Sequence, residues 1–280
     1  MDTEVPLLVM EDLGEAPSLA DVLLGDDPRA AEDGLLVWAR GLGRLAVEAA
    51  DRRGELRELW ARFDKGVASW EDEPWVARNA AELLELVGGA AVPGLGEELA
   101  WVGTAGGEEY SVFTPGDTCP DNNLLTTDGL RLIDFETACY QSAFLVAAYC
   151  RMPFSTCWCV FRLPAGVAAR VEAAYRAEVV GVYPALADDG VWEAGVRQAI
   201  VVWTVAATAF LLPRTVEDGP LHPTRRPAPS RRQLLKHRWE KASELEEFPA
   251  FAAAMRWLLR EVAGGWDVAP LAGYPAFGGD

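Results

Sequence analysis

Residues 116–122 read Gly-Asp-Thr-Cys-Pro-Asp-Asn, and they stand directly before two short apolar segments that a turn separates. Residues 126–129, Thr-Thr-Asp-Gly, supply that turn, because Asp-Gly between apolar runs is typical of a tight hairpin. Residues 130–135, Leu-Arg-Leu-Ile-Asp-Phe, then alternate as a half-buried strand does. The stretch therefore predicts a loop, a small hairpin over about residues 124–135, and a second loop that begins at Asp134.

Three side chains of this stretch have the chemistry that phosphoryl transfer to a hydroxyl group requires. A carboxylate must accept or orient the hydroxyl proton, and Asp117 offers one. Magnesium needs hard oxygen ligands beside the phosphates, and Asn122 and Asp134 offer an amide and a carboxylate oxygen. Because a hairpin holds both loops in register, we expect these side chains to converge on one cleft. In the alternative interpretation Asp117 and Asp121 are helix caps and Asp134 lies in a turn at the end of a strand, and none of the three takes part in a reaction.

Charge is distributed unevenly along the 280 residues, whose formal net charge is −18. Residues 1–140 hold 29 acidic and 10 basic side chains, whereas residues 141–280 hold 14 and 15. Such a surface repels nucleic acid and anionic lipid and attracts cationic ligands, so we expect neither nucleic-acid nor membrane partners. The alternative is that the acidity only keeps the protein soluble.

The cysteines and the start of the chain predict a cytoplasmic protein. Five cysteines, an odd count, indicate reduced thiols. The sequence does not open with the charged and then apolar segment of a secretory signal, so we do not expect secretion. Cys157 and Cys159 are expected to be buried thiols, because no His or further cysteine pair lies near them in the sequence and structural zinc usually has four ligands. Cys119, in the loop before the hairpin, is expected to be accessible but has no adjacent base that would make it a nucleophile.

The basic and histidine residues of the second half are interpreted as surface features. Residues 225–241 hold seven Lys or Arg, which favours a solvated helix face over a phosphate-facing patch. His222 and His237 have no triad-like neighbour in the sequence, so both are expected at the surface.

The remaining pattern predicts an α+β protein that is mostly helical, with the one hairpin inserted. Ser18 and Ser230 have the sequence context of helix N-caps. Residues 199–212 form an apolar run of 14, shorter than the roughly 20 residues of a membrane span, and predict a buried helix. Residues 5–10 predict an edge strand and residues 88–96 a loop. The predicted helices cover residues 35–50, 55–63, 75–87, 165–180, 191–212, 231–247 and 250–262.

The sequence resembles the aminoglycoside phosphotransferase family, the small-molecule branch of the kinase-like fold. That family's pattern is His-Gly-Asp, four residues, Asn, a hairpin, and then Ile-Asp-Phe or Ile-Asp-Trp, and residues 116–135 match most of it. Residues 7–14, Leu-Leu-Val-Met-Glu-Asp-Leu-Gly, resemble the family's hinge, and a Ser-Leu-Ala helix follows as in the family. The resemblance covers roughly residues 5–150 by motif.

The resemblance implies an ATP-dependent enzyme that passes the γ-phosphate to a hydroxyl of a small molecule. The acidic first half of the chain favours a cationic small molecule as this acceptor. Asp117 is then the catalytic base, and Asn122 and Asp134 are the Mg²⁺ ligands. Residues 1–14 become a hinge-like strand and turn, and residues 15–280 a helical kinase-like C-terminal lobe with its catalytic and metal loops at 115–136. The hinge residues that would contact the adenine of ATP are Met10, Glu11 and Leu13.

Three departures from the family pattern favour an alternative, a truncated or degenerate non-catalytic domain that acts as a binding or interaction protein. The family's five-stranded lobe, with its Gly-rich turn and Lys, is expected to be missing, because the hinge begins by residue 7 and the first lysine is Lys65. Pro115 stands where the family has His, and Val146 where it has an Asp that ties down the catalytic loop. We therefore expect the chain alone to bind Mg-ATP poorly.

Overall fold

A computed structural model of the chain describes residues 9–63, 74–88, 92–103, 108–152, 154 and 157–279. They form ten α-helices and two small antiparallel sheets of two strands each. The fold is therefore α+β and mostly helical, which confirms the prediction from the sequence.

The elements are numbered in chain order. The helices are α1 Leu19–Leu23, α2 Pro28–Glu48, α3 Arg53–Phe63, α4 Trp75–Val87, α5 Leu95–Val102, α6 Ala143–Arg151, α7 Ala165–Val179, α8 Asp189–Leu211, α9 Arg231–Ala242 and α10 Pro249–Glu261. The strands are β1 Ser111–Thr114, β2 Asn123–Thr126, β3 Gly129–Leu132 and β4 Cys139–Ser142.

Reciprocal capping boxes start two of the helices. At α1, the Ser18 hydroxyl accepts the Asp21 N–H at 3.1 Å, and the Asp21 carboxylate accepts the Ser18 N–H at 2.8 Å. At α9, Ser230 and Gln233 make the same exchange at 3.2 and 2.9 Å. Each box satisfies N–H groups that a helix start leaves without an intrahelical partner, and both predicted N-caps are confirmed.

Helix α8 runs through the core and packs against α4, α6 and α9. Trp192 near its start is 1% exposed, and residues 199–205 further along the helix are all buried. Residues 189–215 are long and apolar enough to cross a membrane by length and composition, but 67% of the most apolar window is buried inside the protein. Burial in the protein core accounts for the composition of this helix, as the sequence predicted.

Several elements differ from the predictions. Helices α5 and α6 and the pairing of β1 with β4 were not predicted, since segments of four to nine residues show too little periodicity. Helix α9 ends at Ala242 rather than at residue 247. In the predicted edge strand, Val9 and Met10 belong to no strand, and residues 5–8 lie outside the described residues, as does Lys65.

The prediction that the basic segment is a solvated face is wrong for the middle of α9. His237 is 9% exposed and Arg238 is fully buried. Burial, together with the charges of Arg238, Lys241 and Arg162, lowers the pKa of His237 to about 4. His237 is therefore neutral in the folded protein at neutral pH.

Titration of His237 should make the protein less stable in mild acid. An unfolded histidine has a pKa of about 6.5, so between that pH and about 4 the unfolded state binds one proton more than the folded state. Stability is unaffected by this group above pH 6.5, falls as the pH drops through the window, and is lower by about 3 kcal/mol at its acid end. Urea unfolding of the wild type and His237→Gln from pH 7 to pH 4 measures the difference in slope.

The matched control for this measurement is His222→Gln, which removes the other histidine of the chain. It should retain the acid loss that His237 causes. Equal pH slopes for the wild type and His237→Gln would refute the buried neutral histidine.

Candidate functional site

Two short sheets hold a pair of loops next to each other. Strand β1 pairs with β4 in antiparallel register that ends at Thr114 and Cys139, and β2 pairs with β3 from Asn123 and Leu132 onward. The chain leaves β1 through the first loop, residues 115–122, passes through the hairpin, and returns to β4 through the second loop, residues 133–138. The two strand pairs therefore fix both ends of both loops. The sequence predicted only the pair formed by β2 and β3.

The loops also contact each other directly. The Ile133 N–H donates to the Asn122 carbonyl at 3.0 Å, and the Thr137 hydroxyl donates to the Pro115 carbonyl at 3.3 Å. Gly116 has φ 86°, and a Cβ atom there would overlap the carbonyl oxygen and the hydroxyl of Thr137. Only glycine combines this backbone conformation with so close an approach.

Hydrogen bonds within the first loop orient Asp117 and Asn122. The Cys119 N–H donates to Asp117 Oδ1 at 3.0 Å, and Asn122 Nδ2 donates to the Asp117 carbonyl at 3.4 Å. The buried Asn123 side chain supports the loop from below, since its Nδ2 donates to the Cys119 carbonyl at 2.6 Å. Two of the predicted site residues, five positions apart, thus belong to one hydrogen-bonded turn.

Asp134, the third predicted site residue, has an unusual backbone. Its φ is 63°, and no other non-glycine residue in the described part of the chain has a positive φ. This left-handed conformation costs a side-chain-bearing residue about 1 kcal/mol or more, and such outliers cluster at functional sites. The Asp134 side chain is exposed, and none of the described residues forms a hydrogen bond or ion pair with it.

The two oxygen-bearing residues Asn122 and Asp134 suit a hard cation. The Ile133 N–H bond to the Asn122 carbonyl brings the backbone of Asp134 next to that of Asn122. An amide oxygen and a carboxylate oxygen on adjoining loops are the donors that Mg²⁺ prefers. That these oxygens and the Asp117 carboxylate meet at one point stays a prediction.

Arg225, the first cation of the segment predicted to be a solvated helix face, lies instead against the first loop. Asp121 Oδ2 accepts the indole N–H of Trp158 at 2.8 Å and also pairs with the Arg225 guanidinium. Arg225 lies 5.1 Å from the centre of the Trp158 ring, and its backbone N–H donates to His222 Nδ1 at 3.0 Å. The proline-rich loop, residues 213–229, therefore docks on the first loop and places a positive charge there.

Three cysteines cluster behind the first loop. Cys119 and Cys157 form a disulfide, and the Sγ of Cys159 lies 2.8 Å from that of Cys157. The expectation of five reduced thiols is wrong for the bonded pair. Cys119 is only 4% exposed, so its predicted accessibility is also wrong. It lies beside Cys157 and Cys159 in the fold, although it is far from both of them in the sequence.

Thiol titration should distinguish the disulfide from five free thiols. In denaturant without reductant we expect three reactive thiols, those of Cys139, Cys150 and Cys159, and five after reduction. Reduction also opens a covalent loop with a sequence separation of 38, and the chain-entropy relation gives a loss of about 4 kcal/mol in unfolding free energy. Five reactive thiols in the unreduced protein would contradict the pairing, and Cys139→Ser, which should give two, calibrates the count.

The segment that resembles a hinge enters the fold beside the hairpin. The Leu125 N–H donates to the Pro17 carbonyl at 2.8 Å, which ties the residues before α1 to β2. Met10, Glu11 and Leu13 precede this contact in a stretch without regular structure. Met10 is 68% exposed, Glu11 is exposed and Leu13 is half-buried.

Pro115 and Val146, at which the sequence departs from the pattern of the family that it resembles, are both inside the fold. Pro115 is buried, and its carbonyl accepts the Thr137 hydroxyl, so a backbone group makes a contact between the two loops at this position. Val146 in α6 is 2% exposed and packs in the core. Pro115 thus takes part in a contact between the two loops, whereas Val146 contributes apolar packing.

Comparison with known proteins does not supply an assignment. No protein-family model matches the chain, and no curated protein matches it.

Proposed function

We propose that the chain is a phosphotransferase that passes the γ-phosphate of ATP to a hydroxyl group of a small molecule. The observation that carries this proposal is the juxtaposition of the two loops, with Asn122 and Asp134 on backbones joined by the Ile133 hydrogen bond. The φ of 63° at Asp134 adds to it, because non-glycine residues in the left-handed region cluster at functional sites.

Each site residue has a distinct role in this proposal. Asp117 accepts or orients the proton of the attacking hydroxyl, and the Cys119 N–H fixes the direction of its carboxylate. Asn122 and Asp134 would hold Mg²⁺, which, when bound, neutralises charge on the phosphate groups. Arg225, which pairs with Asp121, places a guanidinium beside the first loop, where it would favour an anionic phosphate group.

The charge of the first half of the chain bears on the acceptor. Residues 1–140 contain 29 acidic and 10 basic side chains, and they include both loops. A cationic alcohol, such as an amino sugar or amino alcohol, is attracted to such a surface, whereas an anionic one is repelled. We therefore propose a cationic small-molecule acceptor.

Metal binding tests the proposal without knowledge of the acceptor. Mn²⁺ replaces Mg²⁺ as the probe, and its binding is followed by electron paramagnetic resonance. Asp134→Gly should weaken Mn²⁺ binding at least tenfold and should not lower the melting temperature, because glycine adopts φ 63° without strain. Asp128→Asn, which removes one carboxylate from the exposed turn of the hairpin, is the matched control and should bind as the wild type does.

Transfer of labelled γ-phosphate from Mg-ATP to a panel of amino alcohols and amino sugars tests the reaction itself. Labelled product that Asp128→Asn forms and Asp134→Gly does not would support the proposal. Equal Mn²⁺ binding by the wild type and Asp134→Gly would refute it.

A non-catalytic binding role is the second candidate, and the buried Val146 favours it, since the family's Asp is absent from that helix. Saturation with Mg-ATP distinguishes the two roles. A ligand at 100 times its dissociation constant stabilises a protein by about 2.7 kcal/mol, which shifts the melting temperature by a few degrees. Mn²⁺ binding without such a shift and without labelled product would favour the binding role.

A further inference from the structure

A second cleft lies at the end of α6 away from the two loops. It has a volume of about 770 Å³ and is bounded by α7, the start of α8, α9 and the residues just before α7. Helix α6 begins directly after β4 and ends at Arg151, which lines the cleft, so about 13 Å of helix separates this cleft from the loops. Such a volume is typical of small-molecule sites.

The floor and the rim of this cleft differ in burial. The floor includes His237, Trp192 and Glu172, which are 9%, 1% and 8% exposed. Arg162 and Lys241 stand exposed at the rim. A ligand in the cleft would therefore be in contact with buried groups below and with two cations at the opening.

The lining carries more positive than negative charge, in a chain whose formal net charge is −18. Its four cations are Arg151, Arg162, Arg176 and Lys241, and its two carboxylates are Glu172 and Glu193.

Arg151 and Trp192 occupy the two carboxylates of the cleft. Arg151 Nε donates to Glu172 at 2.7 Å and its NH1 to Glu193 at 2.7 Å, and the Trp192 indole N–H donates to Glu172 at 2.7 Å. Hydrogen bonding from Arg151 also lowers the pKa of Glu193. Two of the other cations have carboxylate partners next to the cleft, since Arg176 pairs with Asp189 at 2.7 Å and Lys241 with Glu244 at 3.5 Å. Arg162 is the cation of the lining for which the described residues provide no ion pair.

Two donor groups of the cleft have hydrogen-bonding capacity left over. Arg162 Nε donates to the Leu271 carbonyl at 2.6 Å, and no described group accepts from its two terminal nitrogens. None of the described residues forms a hydrogen bond with the His237 ring, although His237 is nine-tenths buried and lines the cleft. A ring that lines the cleft in this way can donate a hydrogen bond to a molecule bound there.

The start of α7 adds a third set of donors. Pro164 and Ala165 line the cleft, and no side chain caps this helix of 15 residues. The first N–H groups of a helix have no intrahelical partner and favour negative charge. Arg162, three residues before the helix, is held in place by backbone hydrogen bonds with Ala272 and Tyr274 at 2.9 and 3.0 Å.

We propose that this cleft binds a small organic oxyanion, a phosphate monoester or carboxylate on an apolar body. Arg162, His237 and the first amides of α7 donate to the oxyanion, and the positive charge of Arg162 attracts it. The apolar body packs against the alanine face of α7 and against Trp192. This site lies outside the two loops and does not depend on the phosphotransferase proposal.

Calorimetric titration with aromatic probes of one size tests the charge requirement. Phenyl phosphate and benzoate supply the two oxyanions, benzyl alcohol the neutral probe and benzylamine the cation. We expect at least one oxyanion to bind and neither the alcohol nor the amine to bind measurably. Whichever oxyanion binds more tightly identifies the headgroup.

Two variants test the assigned donors. Arg162→Gln and His237→Gln should each weaken oxyanion binding by about tenfold or more, because each removes a donor or a charge-assisted hydrogen bond. Arg40→Gln makes the same charge change on the exposed face of α2, and it should bind as the wild type does. Arg162 is on the surface, so its variant keeps the test valid even if His237→Gln folds poorly.

Three results would overturn the proposal. They are the absence of binding of both oxyanions at millimolar concentration, binding of benzylamine as tight as that of the oxyanions, and unchanged oxyanion binding by Arg162→Gln.

Discussion

Asp117→Asn should lower the rate of phosphoryl transfer by about a hundredfold or more while the protein stays folded. Loss of a positioned general base typically costs two to four orders of magnitude. The asparagine side chain has the same shape and keeps an oxygen that can accept the Cys119 N–H, now 3.0 Å from Asp117 Oδ1. The substitution therefore removes the charge and the basicity but not the hydrogen bond that shapes the first loop.

The measurement is the initial rate with whichever acceptor is labelled, together with the melting temperature. Asp121→Asn would disturb the contact with Arg225, so the better control is Asp128→Asn in the hairpin turn, which removes one negative charge without touching either loop. A rate for Asp117→Asn equal to that of Asp128→Asn would rule out the base.

Gly116→Ala should destabilise the protein by about 3 kcal/mol or more, which is near the upper end for a single substitution. The φ of 86° is unfavourable for alanine, and its Cβ would overlap backbone and hydroxyl atoms of Thr137. The overlap is with the second loop, so relief requires the two loops to separate. We expect the melting temperature to fall by about 6 °C or more and Mn²⁺ binding to weaken.

Two glycine controls separate the strain from the overlap. Gly129→Ala has φ 109° in the hairpin turn but open space around its Cβ, so it reports strain alone. Gly103→Ala, at the end of α5, has open space and a helical backbone, and it should be close to neutral. If Gly116→Ala cost no more than Gly129→Ala, the contact between the loops would not stabilise the fold.

The predictions from the sequence were most successful where the signal is local. The Asp-Gly turn predicted the hairpin, which the structure places at Asn123–Leu132, and the capping pairs at Ser18 and Ser230 predicted the starts of α1 and α9. Hydrophobic periodicity, turn residues and cap residues act over a few positions, so they can be recognised in the sequence without knowledge of the fold. The three predicted site residues also lie within one stretch of 18 positions, 117–134.

The contacts that surround those residues are separated widely in the sequence. Arg225 reaches Asp121 across 104 positions, and Cys157 joins Cys119 across 38. The basic composition of residues 225–241 suggested a solvated helix face, yet the fold buries Arg238 completely and His237 almost completely. Tertiary packing can bury polar residues when neighbouring helices cover them, whatever their individual polarity.

The sequence alone determined the helical composition, the hairpin and the identity of the oxygen-bearing side chains on its flanks, because each depends on spacing and turn chemistry within a short window. Only the tertiary structure decided that β1 and β4 close the two loops from outside, that Gly116 touches Thr137, and that a cationic cleft opens at the far end of α6. These features depend on which distant segments pack together. The packing of distant segments is set by the burial of one common core, and a local pattern of residues does not predict it.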